Sequence, residues 1–192
     1  MPSARHPSPS DPLRVCVLGA ESTGKTTLCR DLAAHYAVPF VPEFGRWYTE
    51  AMPAPKRYTW TTVDFVTIAT AQNRFEDDAA TRAGPLLICD TSSFVTAVFE
   101  EAYLGSRSAG VEALHRGRSY GLYLLTDPET AFEPDGTGLR DAESRRWMHE
   151  TYEAHVMALR SPVLHVSGTR EARLQAAMGA VDGLLGERAR PG

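Results

Sequence analysis

The stretch that decides the fold is Leu13-Arg-Val-Cys-Val-Leu18 followed by Gly19-Ala-Glu-Ser-Thr-Gly24-Lys25-Thr26. The first six residues are largely apolar and partly β-branched, which predicts a buried strand. The next eight match the pattern G-x-x-x-x-G-K-[ST] without a mismatch, and a helical stretch runs from about Lys25 to Tyr36. A strand, a tight glycine-containing turn and a helix in this order predict a phosphate-binding loop.

The residue types of the loop indicate what it binds. Gly19 and Gly24 allow a tight turn in which successive backbone N–H groups and the helix N-terminus attract phosphate. Lys25 would reach the β- and γ-phosphates of a nucleotide, and the Thr26 hydroxyl would ligate Mg²⁺. We therefore predict binding of ATP with Mg²⁺, at Gly19, Glu21, Ser22, Thr23, Gly24, Lys25, Thr26 and Thr27.

Predicted strands and helices alternate along the rest of the chain. The strands are expected at 38–41, 85–90, 120–126 and 162–167, and the helices at about 61–81, 92–103 and 171–185. This alternation predicts an α/β fold, the P-loop NTPase three-layer sandwich, with a parallel sheet of about five strands flanked by helices. We expect residues 1–12 to be a flexible tail and 13–192 to form one domain. Residues 52–60 are predicted to be a loop.

Composition excludes several other classes of protein. A net charge of −4 argues against a nucleic-acid binder, which usually carries a basic excess. No apolar run reaches about 18 residues, so we expect no membrane span and a cytoplasmic location. The three cysteines form neither a CxxC pair nor a Cys/His cluster, which disfavours a zinc site.

Charged residues near strand ends are candidates for catalysis. Asp90 closes the apolar run 85–90, where an acid holds Mg²⁺, deprotonates an acceptor hydroxyl, or caps the following helix. Arg140 and Arg145 follow a segment rich in proline and glycine and are candidates for a mobile lid near 127–146, which would neutralise the transferred phosphoryl group. The alternative for both arginines is a solvated basic helix face. Thr126-Asp-Pro-Glu stands where a GTPase would show N-K-x-D, so a switch GTPase is disfavoured.

The stretch Val41-Pro-Glu-Phe-Gly-Arg-Trp-Tyr-Thr-Glu50 is a candidate acceptor site. It follows a predicted strand, and parallel α/β sheets bind ligands at the carboxyl ends of their strands. Aromatic rings beside a carboxylate would suit a flat, cationic ligand. The residues we select are Glu43, Arg46 and Trp47, and the alternative for Trp47 is a buried anchor for the loop. Asp64 and Gln72 share one face of the next predicted helix and border the same pocket, unless they are ordinary polar surface residues.

Four blocks of sequence together resemble the nicotinamide riboside kinase domain of the NadR family. They are GAESTGKTTL at 19–28, VPEFGRWYTE at 41–50, DFVTIATAQNRFED at 64–77 and LLICDTSSFVTAVFEEAYLG at 86–105. The resemblance covers residues 13 to about 187. It implies ATP-dependent phosphorylation of the 5′-hydroxyl of nicotinamide riboside to nicotinamide mononucleotide, a step in NAD biosynthesis.

The resemblance also implies residue roles. Lys25 and Thr26 would serve Mg-ATP, Asp90 would be the strand-end acid, and the riboside would lie among Glu43, Arg46, Asp64 and Gln72. Asp135 and Arg140 correspond to the family's D-G-x-R lid element, although the spacing between them is longer here. Family members often carry an adenylyltransferase domain, and some a DNA-binding domain, ahead of the kinase. We expect neither activity from this chain.

Two other functions fit the same motifs. A kinase for another nucleoside or small metabolite would use the same Mg-ATP site, and a nucleotide-binding regulatory ATPase would turn ATP over slowly. A lid with arginines favours the kinases, because a regulatory switch need not enclose an acceptor. The expected partners are ATP and a small riboside, with no nucleic acid and no membrane, and the oligomeric state is not predicted.

Overall fold

The computed structural model describes residues 11–52, 58–128 and 141–189. Five parallel strands form one sheet in the order β2-β3-β1-β4-β5, namely β1 Leu13–Leu18, β2 Phe40–Val41, β3 Leu86–Asp90, β4 Leu122–Thr126 and β5 Val163–Val166. The helices in these ranges are α1 Lys25–Tyr36, α2 Phe44–Glu50, α3 Thr62–Ala80, α4 Ser93–Leu104, α5 Ala109–Arg116, α6 Ala142–Met157 and α7 Arg170–Ala189. The predicted fold class is confirmed.

Helices cover both faces of the sheet, which explains why its central strands are apolar along their whole length. One face packs against α4 and α6 through Cys16, Leu18, Leu87, Leu125, Val98 and Met148. The other packs against α1 and α7 through Val15, Val17, Ile88, Leu124, Leu32 and Val181. A smaller cluster joins α3, α4 and α5 behind the first face. The three-layer arrangement leaves the carboxyl ends of β1, β3 and β4 side by side at one edge.

The short helices are the elements that the sequence did not reveal. α2 has seven residues and α5 has eight, too few for a helical repeat of apolar residues to stand out. α6 begins at Ala142, so the last part of the predicted lid segment is the first turn of a regular helix. In the described ranges, no helix has both the length and the apolar character required to cross a membrane.

The start of α3 is organised by one buried carboxylate. Asp64 accepts hydrogen bonds from the backbone N–H and the hydroxyl of Thr61, at 2.9 and 2.6 Å. The first of these bonds and the return bond from the Asp64 N–H to the Thr61 side chain make a capping box. The other oxygen of Asp64 accepts from the hydroxyls of Tyr48 on α2 and Tyr58, at 2.7 and 2.9 Å. Asp64 thus joins α2, α3 and the segment between them. A contact between Asp64 and an acceptor stays a prediction.

We expect Asp64→Ala to lower the free energy of unfolding by about 2 kcal/mol at pH 7, the range for losing a helix cap and a buried hydrogen-bond acceptor. Burial raises the pKa of Asp64, but the hydrogen bonds from Thr61, Tyr48 and Tyr58 outweigh it and hold the pKa below its ordinary 3.8. The stabilisation is therefore complete at neutral pH and lost as the pH falls through the lowered pKa.

Urea denaturation of the wild type and the variant at pH 7 and at about pH 3 measures this difference. The difference in the free energy of unfolding between the wild type and Asp64→Ala should be smaller at the lower pH. Asp78→Ala, at an exposed acid on the same helix, is the control and should change stability by less than about 0.5 kcal/mol. An Asp64→Ala effect of the same size at both pH values would contradict the explanation.

Candidate active site

The phosphate loop joins β1 to α1 with three residues at positive φ. Gly19 has φ 151°, Ser22 has φ 58° and Gly24, the N-cap of α1, has φ 84°. A Cβ atom at Gly19 would lie 2.0 Å from the hydroxyl oxygen of Thr126 and 3.0 Å from its carbonyl oxygen. Glycine is therefore required at position 19 by packing against β4 as well as by backbone conformation.

Two buried threonines tie the loop to the sheet. The hydroxyl oxygens of Thr23 and Thr126 lie 2.6 Å apart and share a hydrogen bond. Thr23 also contacts the Ala20 carbonyl at 2.8 Å, and Thr126 contacts the Leu18 carbonyl at 3.1 Å. Thr126 ends β4, the strand beside β1, so tertiary pairing brings it to the loop.

The predicted nucleotide and metal residues meet at the start of α1. The ammonium group of Lys25 donates to the Ala20 carbonyl at 2.8 Å, and the Thr26 hydroxyl donates to Asp90 Oδ2 at 2.6 Å. Asp90 is buried, and its Oδ1 has no hydrogen-bond partner among the described residues. A hydroxyl and a carboxylate with an unused oxygen are ligands of the type that Mg²⁺ takes, so these two residues fit the predicted metal.

Asp90 does not cap the following helix. The N-cap of α4 is Ser92, two residues later, so the capping alternative for Asp90 was wrong. Between them Thr91 is buried with φ 72°, a conformation that costs a residue with a Cβ atom about 1–3 kcal/mol. Its carbonyl accepts a hydrogen bond from the Cys16 thiol at 3.3 Å, and its N–H donates to the Val17 carbonyl at 3.1 Å. This turn leaves the Asp90 carboxylate facing Thr26.

Two arginines hold the outer side of the phosphate loop. Arg145, 8% exposed on α6, donates from Nε to the Glu21 carbonyl at 3.2 Å and from Nη2 to the Pro128 carbonyl at 3.0 Å. The solvated alternative for Arg145 was therefore wrong, and its contact with a transferred phosphoryl group stays a prediction. Arg173, on α7, donates to the Thr23 and Gly168 carbonyls at 2.6 and 2.9 Å.

Two predicted residues cannot be placed by the structure, and two residues that contact the loop were not predicted. Arg140 and Asp135 lie outside the described residues. Arg173 escaped sequence analysis because no motif marks it, and only the return of α7 to α1 brings it to the loop. In the sequence, Thr126 marks only the absence of a guanine-binding motif. Its position at the carboxyl end of a strand, where parallel sheets bind ligands, could have identified it as a site residue.

Glu43 is the candidate acceptor residue that the fold brings to the phosphate loop. It is the half-buried N-cap of α2. Burial raises the pKa of Glu43, Lys25 and Arg46 oppose the rise, and Asp90 adds to it. Val41, two residues before Glu43, pairs with Cys89, the neighbour of Asp90, so Glu43 follows β2 at the same edge of the sheet as Asp90. Arg46 is exposed on the same helix.

The aromatic residues of α2 pack mainly against α3. Trp47 is 48% exposed, so it is not the buried anchor considered as its alternative, and its ring meets Phe75 at 6.1 Å between centroids. Phe44 also contacts Phe75, at 5.4 Å. Gln72 is buried and accepts a hydrogen bond from the Phe44 N–H at 2.9 Å. Gln72 is therefore not an ordinary polar surface residue, and that alternative was wrong. Acceptor contacts by Trp47 and Gln72 stay predictions.

Tyr152 on α6 is a polar group that sequence analysis missed. Its ring is fully buried, and its hydroxyl has no hydrogen-bond partner among the described residues. Glu43 and Glu21 both lie near enough to raise its pKa after burial does so. The ring packs in the core against Phe94, and no sequence motif surrounds Tyr152.

We expect Gly19→Ala to destabilise the fold by about 1–3 kcal/mol and to abolish nucleotide binding, because the added Cβ atom displaces Thr126 or the loop. Thermal unfolding and binding of a fluorescent ATP analogue measure the two effects. Gly179→Ala is the control, since a Cβ atom there has open space within a helix, and it should be neutral or slightly stabilising. Normal nucleotide affinity in Gly19→Ala would show that the loop tolerates a side chain.

Comparison with known proteins agrees with this geometry. Residues 14–173 match the AAA_28 family of AAA domains. Two curated relatives are the trifunctional NAD biosynthesis/regulator proteins NadR of Salmonella typhimurium and Escherichia coli, each 29% identical over 122 residues. These alignments cover 64% of this chain but only 30% of each relative.

Solved structures give the same result. NadR in complex with NR is 27% identical with a TM-score of 0.70, covering 91% of this chain and 52% of that one. NadR in complex with NAD and AMP-PNP is 22% identical with a TM-score of 0.71, covering 91% and 50%. Thymidylate kinase from Candida albicans is 12% identical with a TM-score of 0.62, covering 93% and 94%, which shows a shared fold.

The chain therefore has a P-loop kinase fold and spans about half of the NadR chains of known structure. The resemblance to NadR inferred from the sequence blocks is confirmed. Because the family match covers most of its length, the protein belongs to the AAA_28 family of AAA domains.

Proposed function

We propose that this protein is an ATP-dependent kinase that phosphorylates the 5′-hydroxyl of nicotinamide riboside, giving nicotinamide mononucleotide. The observation that carries the proposal is the position of Glu43, a half-buried carboxylate that follows β2 at the sheet edge where β3 ends in Asp90. An acceptor hydroxyl bound beside Glu43 would face the γ-phosphate, which is the arrangement that phosphoryl transfer requires.

The donor side follows from the loop. Its backbone N–H groups and the N-terminus of α1 would hold the phosphates, and Lys25 would exchange the Ala20 carbonyl for phosphate oxygens. Thr26 and Asp90 would hold Mg²⁺, which supplies neutralisation of the phosphate charge when bound. Arg145 and Arg173 keep the loop in shape through its Glu21 and Thr23 carbonyls.

On the acceptor side, Glu43 would accept the proton of the acceptor hydroxyl. Asp90 already accepts from Thr26, and its unused oxygen suits a metal, so it is poorly placed to act as a base as well. Burial raises the pKa of Glu43, which makes its carboxylate a better proton acceptor. The hydroxyl oxygen then bonds to the γ-phosphorus, the bond from that phosphorus to the bridging oxygen breaks, and ADP leaves.

Two further observations favour a pyridine riboside as the acceptor. Nicotinamide riboside carries a pyridinium cation, which the Glu43 carboxylate and the exposed ring of Trp47 on α2 would attract. A NadR protein 27% identical to this chain was solved with NR, and a second NadR structure contains NAD and AMP-PNP. These relatives support the proposed acceptor and the proposed donor.

The direct test incubates the protein with Mg-ATP and a panel of nucleosides while ADP release is followed and products are identified by mass. We expect turnover with nicotinamide riboside to exceed that with cytidine, thymidine and adenosine by at least about tenfold. Lys25→Ala is the control, and its turnover should fall by about 10²–10³ with the fold retained. Turnover confined to another nucleoside would replace the acceptor, and no stimulation by any acceptor would favour a regulatory ATPase.

We expect Glu43→Gln to lower kcat by about 100-fold, the range for losing a general base, with the Kd for ATP unchanged within a factor of two. The wild-type kcat/KM should fall as the pH drops through the raised pKa of Glu43, because a protonated carboxyl cannot accept the hydroxyl proton. This acid limb should be missing in the variant. Glu50→Gln, at an exposed acid on the same helix, is the control and should behave as wild type. A retained acid limb in Glu43→Gln would assign the proton to another group.

A further inference from the structure

We propose that Gln72 and Glu76 are positioning residues that hold the first turn of α2, and with it Glu43, in front of the phosphate loop. Gln72 would then act through Glu43 instead of contacting the acceptor. The catalytic consequence rests on the proposed function of Glu43. The structural part rests on contacts among buried side chains of α3 and does not depend on the acceptor.

The first contact joins α3 to the beginning of α2. Gln72 is 2% exposed, and its Oε1 accepts from the N–H of Phe44 at 2.9 Å. Phe44 is the first residue of α2 and directly follows Glu43. The first N–H groups of a helix have no acceptor within the helix, so a side chain from α3 here satisfies one of them. The bond restrains the backbone one residue from Glu43.

The second contact fixes the orientation of the Gln72 amide. Its Nε2 donates to Glu76 Oε1 at 3.3 Å, one helical turn further along α3. An ionised carboxylate can only accept hydrogen bonds, so the amide must turn its NH₂ group towards Glu76. The carbonyl oxygen of Gln72 is thereby directed at Phe44. Glu76 thus decides which end of Gln72 meets α2.

The third contact anchors Glu76 to the sheet. Glu76 is completely buried and accepts from the Tyr120 hydroxyl and from Arg118 Nη2, both at 2.8 Å to Oε2. Burial raises the pKa of Glu76, while Arg118, Tyr120 and Gln72 oppose the rise and favour the charged form. Arg118 also donates to Asp77 at 2.8 Å. The residues just before β4 are therefore linked through two side chains to the first turn of α2.

This arrangement leaves Gln72 little capacity for an acceptor. Its oxygen faces Phe44, its nitrogen faces Glu76 and the side chain is buried, so turning either end towards a riboside would break one of these bonds. Leaving Glu76 or the Phe44 N–H unsatisfied in the interior is costly. The network is complete before any substrate arrives, which is what positioning requires.

A double-mutant cycle between Gln72 and Glu43 tests the mechanism. Gln72→Met preserves length and removes both hydrogen bonds, and we expect kcat to fall by about 10–100-fold with little change in the Kd for ATP. In the Glu43→Gln background the same substitution should cause no further loss, because it acts only through Glu43. Additive losses, or a rise in the acceptor KM with kcat unchanged, would overturn the proposal.

Hydrogen exchange followed by mass spectrometry tests the structural part separately. Gln72→Met should speed exchange of the α2 amides at 44–50 by at least about tenfold. The control is Asn73→Leu, which removes the Asn73 Nδ2 bond to the Leu114 carbonyl and should loosen α5 but not α2. If Gln72→Met does not fold, Gln72→Asn replaces it, since the shorter amide cannot reach both Phe44 and Glu76.

Unchanged α2 exchange in a folded Gln72 variant would overturn the positioning role. Unchanged exchange can also be distinguished from failure of the proposed function. If the wild type phosphorylates no riboside, the function is wrong, and the exchange experiment still decides whether Gln72 holds α2.

Discussion

The close approach between the phosphate loop and the end of β4 is the constraint on which the rest of the site depends. The backbone at Gly19 passes so near Thr126 that no side chain fits between them. The Thr23 hydroxyl then meets the Thr126 hydroxyl across the same gap. Since β4 pairs directly with β1, the shape of the loop is set by the sheet and by its own sequence together.

Several long-range contacts keep the loop in that shape. Arg145 from α6 and Arg173 from α7 bind carbonyls on its outer side, while Lys25 turns inward to the Ala20 carbonyl. An anion site built from backbone N–H groups is effective only if those groups already point at the phosphate. The arginines therefore preorganise the loop by holding its backbone carbonyls. The left-handed backbone conformation of Thr91 also contributes to preorganisation, because it directs Asp90 towards Thr26.

The acceptor side is supported in a different way. Here one short helix, α2, carries Glu43 to the phosphate loop, and it has only seven residues. Isolated helices of that length are unstable in water, so α2 depends on its neighbours. Tyr48 is tied to Asp64, the Phe44 N–H is tied to Gln72, and aromatic rings fill the space towards α3. In both halves of the candidate site, the residues proposed to act on substrates are held by others that are not proposed to contact them.

The strands, the helices α1, α3, α4 and α7, and the phosphate loop could be predicted because each has a local signal. Apolar runs marked β1, β3 and β4, and the glycines, Lys25 and Thr26 stand at fixed spacing along one stretch of chain. The family resemblance carried by the blocks at 41–50 and 64–77 could likewise be identified from the sequence alone. α2 and α5 were not predicted, because helices of seven and eight residues are too short to display a period.

Only the tertiary structure decided which contacts the residues singled out in the sequence make, and whether they are buried. The sequence by itself determined a P-loop fold and the position of the phosphate loop, since the residues of the loop lie together in one turn. Whether Arg145 is exposed, whether Asp90 meets a partner, and whether Gln72 faces solvent were decided by contacts with residues 124, 64 and 28 positions away. Burial and hydrogen bonding depend on which elements meet in space, and strand pairing and helix packing determine that only when the whole chain has folded.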